Sequence, residues 1–529
     1  AVAWRQAGDI TTATAILERM RNAAPGGVRI AGRDVPLSFS TGEAARWLDE
    51  LLGAVTGSGA VEGDWRQPRG TATRNGIASA SRPLLAARFR VPVTRHPAEG
   101  RLLEGRRQAF ADQDVPLLPA ALPVAVDGMI LLRTPGGLLA VDFVTGKRTW
   151  LQPGAAGGDE GDDSDDQARG RLPRVFDNLT EGGLASDGRL VFAIDSHPDA
   201  FLSGGATAFG PLLRRGTKWQ GGNTLSAYEV RGRGRLRWRL PAAMPAAGAA
   251  TSMAWFMGAP LVVGDRLFVM VEERSEVRLD VLRAADGAVE WSQPLADVDE
   301  AQAIRSGEFR SRQLAGLSPA LGGGVLVCPL GNGTVVAIDL ATRELRWAHE
   351  YRRSPREAPP RPEGGIRGRL PGRAGFATPA RGDTPADADR WRDEGPIVAG
   401  DRVLLTPHDA DELICLDLRD GVVRWTLPRD HRLLPLAGVV GDRVIVVGTR
   451  DVEAVDLASG RGLWKCPFGV DGAAPSGRGV LTADRLFLPL DVPEVIEIGL
   501  ADGTIVSRSP ARGGVVPGNL VAYRGEMIA

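Results

Sequence analysis

Five histidines, three cysteines and a run of carboxylates are the residues of this 529-residue chain whose types suit metal or nucleophilic chemistry. Histidine metal sites need short, fixed spacings that bring ring nitrogens onto one ion. His96, His197, His349, His408 and His431 show no HExxH, HxH or Cys-His spacing and read as surface or turn residues. Cys328, Cys415 and Cys466 are isolated, in or beside apolar runs, and read as small core residues, since a disulfide framework needs paired and denser cysteines. No GxSxG or GxxxxGK(S/T) phrase occurs, and Gly322-Gly323-Gly324 reads as a turn at a strand start. No nucleophile stands beside a base, so these patterns yield no catalytic residue, cofactor-binding residue or metal ligand.

Three segments carry other possibilities. Asp159, Glu160, Asp162, Asp163, Asp165 and Asp166 lack the ligand spacing and final Glu of a calcium loop and read as a solvated insertion within 154–171. Arginines 352, 353, 356, 361, 367, 369 and 373 fall in a proline-rich stretch within 351–392, read as a solvated loop, with an anion or polyanion patch as the alternative. Salt would screen any attraction between the two insertions. The insertion 198–222 places Phe201, Phe209 and Trp219 among glycines, where they would line a recognition surface or fold back over their own sheet.

The elements that must position such loops come from a repeat. Residues 140–150 read A-V-D-F-V-T-G-K-R-T-W, and matching phrases run from Ala337 to Trp347, Cys415 to Trp425 and Ala454 to Trp464. Val281 to Trp291 and Ala227 to Trp238 are weaker copies, and Glu497 to Ser507 is a seventh that lacks the tryptophan. Each is preceded by a hairpin phrase such as Val126-Asp127-Gly128-Met129 or Val440-Gly441-Asp442-Arg443, and Gly-Asp or Asp-Gly between β-branched runs is a strong hairpin signal. The unit is therefore four strands. Its Asp accepts hydrogen bonds from turn amides, its Gly takes positive φ, and its Trp packs between neighbouring sheets. The docking residues expected are Asp142, Gly146, Trp150, Trp238, Trp291, Asp339, Trp347, Asp417, Gly421, Trp425, Asp456, Gly460 and Trp464. Small sheets that cannot hide both faces stack radially, so the spacing predicts an all-β propeller. Seven copies, plus a composite blade pairing a strand near 85–93 with residues near Leu520, predict eight blades over 61–529.

Residues 1–60 differ in kind. Thr12–Ala24 and Glu43–Val55 show helical spacing, Ser40 and Glu43 resemble a capping box, and the segment reads as a helical cap or the end of a helical repeat array. The apolar share of 43% supports a large core, and a net charge of -1 gives no global attraction to nucleic acid or an anionic membrane. No apolar run is long enough for a spanning helix. The first residue is Ala1 and the tail 516–529 reads as the first strands of another blade; both fit a piece of something longer, with membrane association possible through a preceding region.

The phrase Ala140-x-Asp142-x-x-Thr145-Gly146-x-x-x-Trp150 resembles the tryptophan-docking motif of the pyrroloquinoline-quinone-like (PQQ-like) propeller repeats, over about 64–529. That family implies an eight-bladed propeller in the bacterial cell envelope or periplasm. It includes quinoprotein dehydrogenases and non-catalytic members such as the lipoprotein of the outer-membrane barrel-assembly machinery. The dehydrogenases stack a vicinal Cys-Cys pair on the quinone and hold calcium with Glu, Asn and Asp; this chain has no adjacent cysteines and matches none of those positions. The expectation is a non-catalytic scaffold for a protein partner. The alternatives are a divergent dehydrogenase using pyrroloquinoline quinone with calcium, and a carbohydrate- or polyanion-binding module.

Overall fold

From 124 to 510 the computed structural model forms seven antiparallel sheets in sequence order, each running strand by strand from first to last. It describes all residues except 2–9, 31–32, 41, 53–59, 62, 80–86, 95–96, 113–114, 155–172, 197–221, 242–253, 274, 300–311, 354–394, 430–432, 469–471 and 512. The blades occupy 124–153, 184–240, 255–297, 320–350, 397–428, 433–467 and 480–510. Six sheets have four strands; in blade 3 both Trp255–Phe256 and Leu261–Val263 pair with Arg266–Glu273.

The first strand of each blade lies innermost. Val124–Val126 touches Leu184–Ser186, which touches Leu261–Val263, and the same contact joins Ala320–Gly322 to Ile397–Ala399 and Leu433–Val440 to Val480–Leu481. These first strands are buried where their side chains are described, apart from the half-buried Val262 and Val263 of blade 3 and Ala437 and Val440 of blade 6, whereas the outermost strands are mostly exposed or half-buried. That gradient is what radial stacking requires, because blades converge at the axis and splay at the rim.

The core is correspondingly divided into seams. Val124, Leu131, Leu138 and Trp150 of blade 1 cluster with Val191, Ala193 and Tyr228 of blade 2. Five further clusters join blades 2–3, 3–4, 4–5, 5–6 and 6–7. The last joins blades 7 and 1 through a different insert: Val480, Phe487 and Val495 meet Ile130, Leu139 and Phe143 across Leu520, Val521, Ala522 and Tyr523.

That insert corrects the expected blade count, which is seven and not eight. Among the described residues, the eighth position holds the two-stranded ribbon Val521–Tyr523 and Glu526–Ile528 and no further strand. Residues 87–93 form no strand; Phe89 and Val91 instead pack their side chains onto the same cluster as Leu520. Residues 521–528 form one hairpin, and a hairpin phrase alone cannot tell a ribbon from a sheet.

N-terminal to the propeller, helices Ile10–Ala23 and Ala44–Leu52 flank the hairpin Val28–Ile30/Arg33–Val35. Leu17, Leu37, Phe39, Ala44 and Leu48 form their shared core, and Ala341 of blade 4 packs against it. The Glu43 carboxylate accepts from the Ser40 backbone N–H at 3.2 Å, which seats the second helix. A third helix, Pro97–Ala111, has no counterpart in the sequence reading, because Gly100 and Gly105 interrupt its apolar period.

Candidate functional site

Two constructions recur around the ring, one at each seam and one on the axis. At the seams, the tryptophan of one blade donates its indole N–H to a carbonyl of the next: Trp150 to Val230, Trp238 to Ala284, Trp347 to Leu418 and Trp425 to Leu457 at 2.9 Å, and Trp464 to Leu500 at 3.1 Å. The ring lies on the turn glycine of that next blade, so a Cβ on Gly234, Gly287, Gly421, Gly460 or Gly503 would fall within 3 Å of indole carbon. All five glycines have positive φ. The turn is held by its aspartate: Asp142 accepts from the N–H groups of Val144 and Thr145 and the Thr145 hydroxyl, and Asp339, Asp417 and Asp456 accept from their own turns. These hydrogen bonds hold the Asp142 and Asp456 carboxyls below the ordinary aspartate range.

Two seats depart from the pattern. In blade 4 the glycine position is Arg343, at φ 63°, and its guanidinium lies 4.8 Å from the Trp291 ring centre. At blade 1, Phe89 covers Gly146 where an indole would sit, while Arg88 donates to the Phe143 carbonyl at 2.5 Å in place of the indole N–H. Residues 88–89 thus reproduce a docking seat without belonging to a blade, and no spacing in the sequence marks them.

On the axis, residues 65–78 visit the inner strands of all seven blades in order. Trp65 exchanges both backbone hydrogen bonds with Ala125 of blade 1, and the Arg66 carbonyl accepts from Ser186 of blade 2. The Gln67 side-chain oxygen accepts from the Val262 N–H of blade 3 at 3.1 Å. The carbonyls of Ala72 and Thr73 accept from Leu321 of blade 4 and Val398 of blade 5. The Asn75 carboxamide both donates to the Val439 carbonyl and accepts from its N–H, in blade 6. Ile77–Ala78 then lies against Val480–Leu481 of blade 7. Fourteen residues extend to roughly 46 Å at most, enough to encircle an axis of about 7 Å radius. The segment is a girdle, and it closes the exposed hydrogen-bonding edges that the inner strands present to the axis.

Between the girdle and blades 6 and 7 lies, among the described residues, a cavity of about 60 Å³ lined by Trp65, Arg69, Arg74, Asn75, Arg478 and Asn519 among others, with no carboxylate in its wall. That volume has room for a few water molecules. Arg74 is fully buried, donating to the carbonyls of Pro319 and Pro68, and Asn519 clamps the Pro119 and Ala121 carbonyls and the Arg478 N–H. A tricyclic quinone does not fit this cavity: pockets for small molecules run to roughly 300–1,000 Å³, well above its volume, and its wall offers no carboxylate to a calcium ion.

The other sequence candidates are dispersed. Cys328, Cys415 and Cys466 are buried in blades 4, 5 and 6, and burial pushes the Cys415 thiol up to about 12 and Cys328 higher still, which leaves both as inert thiols. Among the described residues no three His, Cys, Asp or Glu side chains gather as a metal site. Phe201, Phe209 and Trp219, the acidic run 159–166 and the arginines from 356 to 373 lie outside the described residues. Asn75, Asn178, Asn223 and Asn519 are buried, and Asn75, Asn223 and Asn519 link separate elements. Nothing local in sequence distinguishes an amide that bonds a distant backbone from one in a turn.

The fold and its seams define a seven-bladed β-propeller locked by indole rings. Residues 174–360 match a family model described as outer membrane protein assembly factor BamB, which supports a likeness of this part of the chain to the PQQ-like β-propeller repeats. The fold is similar to that of BamB from Moraxella catarrhalis, at 13% identity over 69% of this chain and 80% of that one, with a TM-score of 0.40. It is also similar to the quinohemoprotein alcohol dehydrogenase from Comamonas testosteroni, at 13% identity, 88% and 75% coverage and a TM-score of 0.46. A europium-containing methanol dehydrogenase matches at 12% identity, 88% coverage of each chain and a TM-score of 0.46. No curated protein sequence matches the chain.

Proposed function

We propose that the chain is a non-catalytic scaffold of the bacterial cell envelope that holds a protein partner on its rim and loops. The observation that carries this reading is the girdle: residues 65–78 hydrogen-bond or pack against every inner strand, so the axis serves the propeller's own integrity. The family description matched by 174–360, an assembly factor of the outer membrane, supports the same reading. Recognition then falls to the outer surface, where Val289, Leu345 and Val423 stand exposed at matching places on blades 3, 4 and 5.

The test is site-specific photo-crosslinking in envelope preparations, with the crosslinker placed at Val289, Leu345 or Val423 and, as control, at buried Thr73. A discrete adduct of one protein from rim positions, absent from the control, is expected. Rim positions that give no adduct above the control would overturn the scaffold reading.

A further inference from the structure

The outer hairpin of blade 2 reads Arg231-Gly-Arg233-Gly-Arg235-Leu-Arg237-Trp238-Arg239, with an arginine at every second position. From twelve residues before the docking tryptophan to two after it, residues 226–240 hold these five arginines against the single Glu229, a net of +4. The matching windows of the other six blades lie between -2 and +1. A ring otherwise balanced in charge is therefore lopsided at one blade, while the whole chain carries a net charge of only -1.

The carboxylates within reach do not absorb this surplus. Arg235 and Arg237 share Glu229, Arg231 pairs with Asp127 of blade 1, and Arg239 donates to the neutral Ser226 and Tyr228 hydroxyls. Arg233 stands exposed at the tip at φ 55°, its side chain making no hydrogen bond or ion pair to another described residue. The paired members stay open to solvent: Arg231, Arg235 and Arg237 have side-chain exposures of 59%, 66% and 47%.

Arg231, Arg233 and Arg235 lie in the turn and Arg237 and Arg239 on the strand it leads into, Leu236–Leu240, which is the last of its sheet; among the described residues no strand pairs with its outer edge. Along a strand, alternate side chains share a face at a spacing of about 7 Å. We propose that this edge takes an extended acidic segment of a partner protein, added as a further strand with a carboxylate at every second residue facing the arginines. The proposal rests on the scaffold reading and names its site. An added peptide satisfies both the open backbone edge and the charge ladder. A nucleic acid or polyphosphate would satisfy only the charge, and the near-neutral whole molecule offers it no long-range attraction. The same arginines exclude apolar and basic strands, which gives the edge its selectivity.

The test is fluorescence anisotropy of the full chain with a labelled peptide, Glu-Thr-Glu-Val-Glu-Thr-Glu, beside a peptide of the same composition with its glutamates contiguous and an oligothymidylate of equal charge. Saturable binding of the alternating peptide is expected, lost at high salt and weakened about tenfold by R233E/R237E. Because Arg237 also holds Glu229, R233E alone serves as the second variant; the Arg233 side chain has no partner among the described residues, and about threefold weaker binding is expected. Equal affinity in wild type and both variants overturns the proposal, as does equal or tighter binding of the contiguous peptide or the oligothymidylate. Binding that requires deletion of 159–166 would assign the edge to the chain's own carboxylates and also overturn it. A failed peptide beside intact rim crosslinks removes this site and leaves the scaffold reading; failure of the crosslinks at every rim position removes that reading itself.

Discussion

At the scale of single residues, the seam is a lock whose two halves lie on different blades. Trp425 is 8% exposed, donates to Leu457 and rests on Gly460. Trp425→Ala should cost about 3–5 kcal/mol in denaturant unfolding, the range for a buried large aromatic. Gly460 has φ 70° and a Cβ there would lie 2.8 Å from the indole, so Gly460→Ala should cost about 1–2 kcal/mol from backbone strain alone, with the clash in addition. Gly462, two residues on, has ordinary φ and open space around its Cβ position, and Gly462→Ala should stay within about 0.5 kcal/mol. The turn aspartates add a pH dependence. Hydrogen bonds from Thr145, Ser459 and Thr504 depress the carboxyls of Asp142, Asp456 and Asp502 below the ordinary 3.8. A depressed folded-state value means stability that is complete above the unfolded value and lost as pH falls through the folded one. Melting temperature should hold down to the carboxylate range and fall below pH 3.8, and Asp456→Asn should make that acid limb shallower. The tryptophans, aspartates and turn glycines are marked by spacing because most blades repeat them. Arg343 and Phe89 are not, since what makes each a docking residue is a surface supplied by another part of the ring.

At the scale of elements, the strands were legible and the girdle was not. A strand declares itself by apolar alternation between turns, and the seven hairpin-and-phrase units fall on sheets in the structure. Residues 65–78 have no period: they bend at Arg69, Gly70 and Arg74, all at positive φ, and present backbone or a polar group to one blade after another. Their logic is the spacing of seven inner strands, which does not exist until the propeller forms. Asn75 is the most exacting contact, since its amide stands in for one residue of a strand by meeting both the N–H and the carbonyl of Val439 while 2% exposed. Asn75→Ala leaves both backbone groups buried and unmet and should cost about 2–4 kcal/mol in thermal or denaturant unfolding. Asn75→Asp keeps the shape but sets an acceptor against the Val439 carbonyl; a loss as large as that of the alanine variant is expected, and an isosteric rescue would show that shape, not hydrogen bonding, sets the girdle there.

At the scale of the whole molecule, the ring must close where its first and last blades meet, and here it does so with a ribbon instead of an eighth sheet. Ribbon and docking pair share one seam: Tyr523 packs edge-on against Phe143 at 4.8 Å and its hydroxyl accepts from the Gly128 N–H, while Arg88 pairs with Glu526. Seven wedge-shaped blades with one half-filled place leave a narrow axis, and the girdle consumes it. This bears directly on the dehydrogenase alternative. A quinone could enter the axis only if residues 65–78 left it, which breaks at least seven hydrogen bonds to inner strands at about 0.5–1.5 kcal/mol each and strands buried backbone groups at further cost. A cofactor of micromolar affinity supplies about 8 kcal/mol, which displacement of this kind would largely cancel. Titration of the full chain with pyrroloquinoline quinone and calcium should therefore give no saturable quenching of tryptophan fluorescence and no dye reduction with alcohols or sugars. If stoichiometric binding appeared instead, the girdle would have to be a displaceable occupant, and Asn75→Ala, by loosening it, would raise the apparent quinone affinity; an Asn75→Ala variant that melts lower yet still binds no quinone would show that the axis is closed by its lining and not by the strength of one clamp.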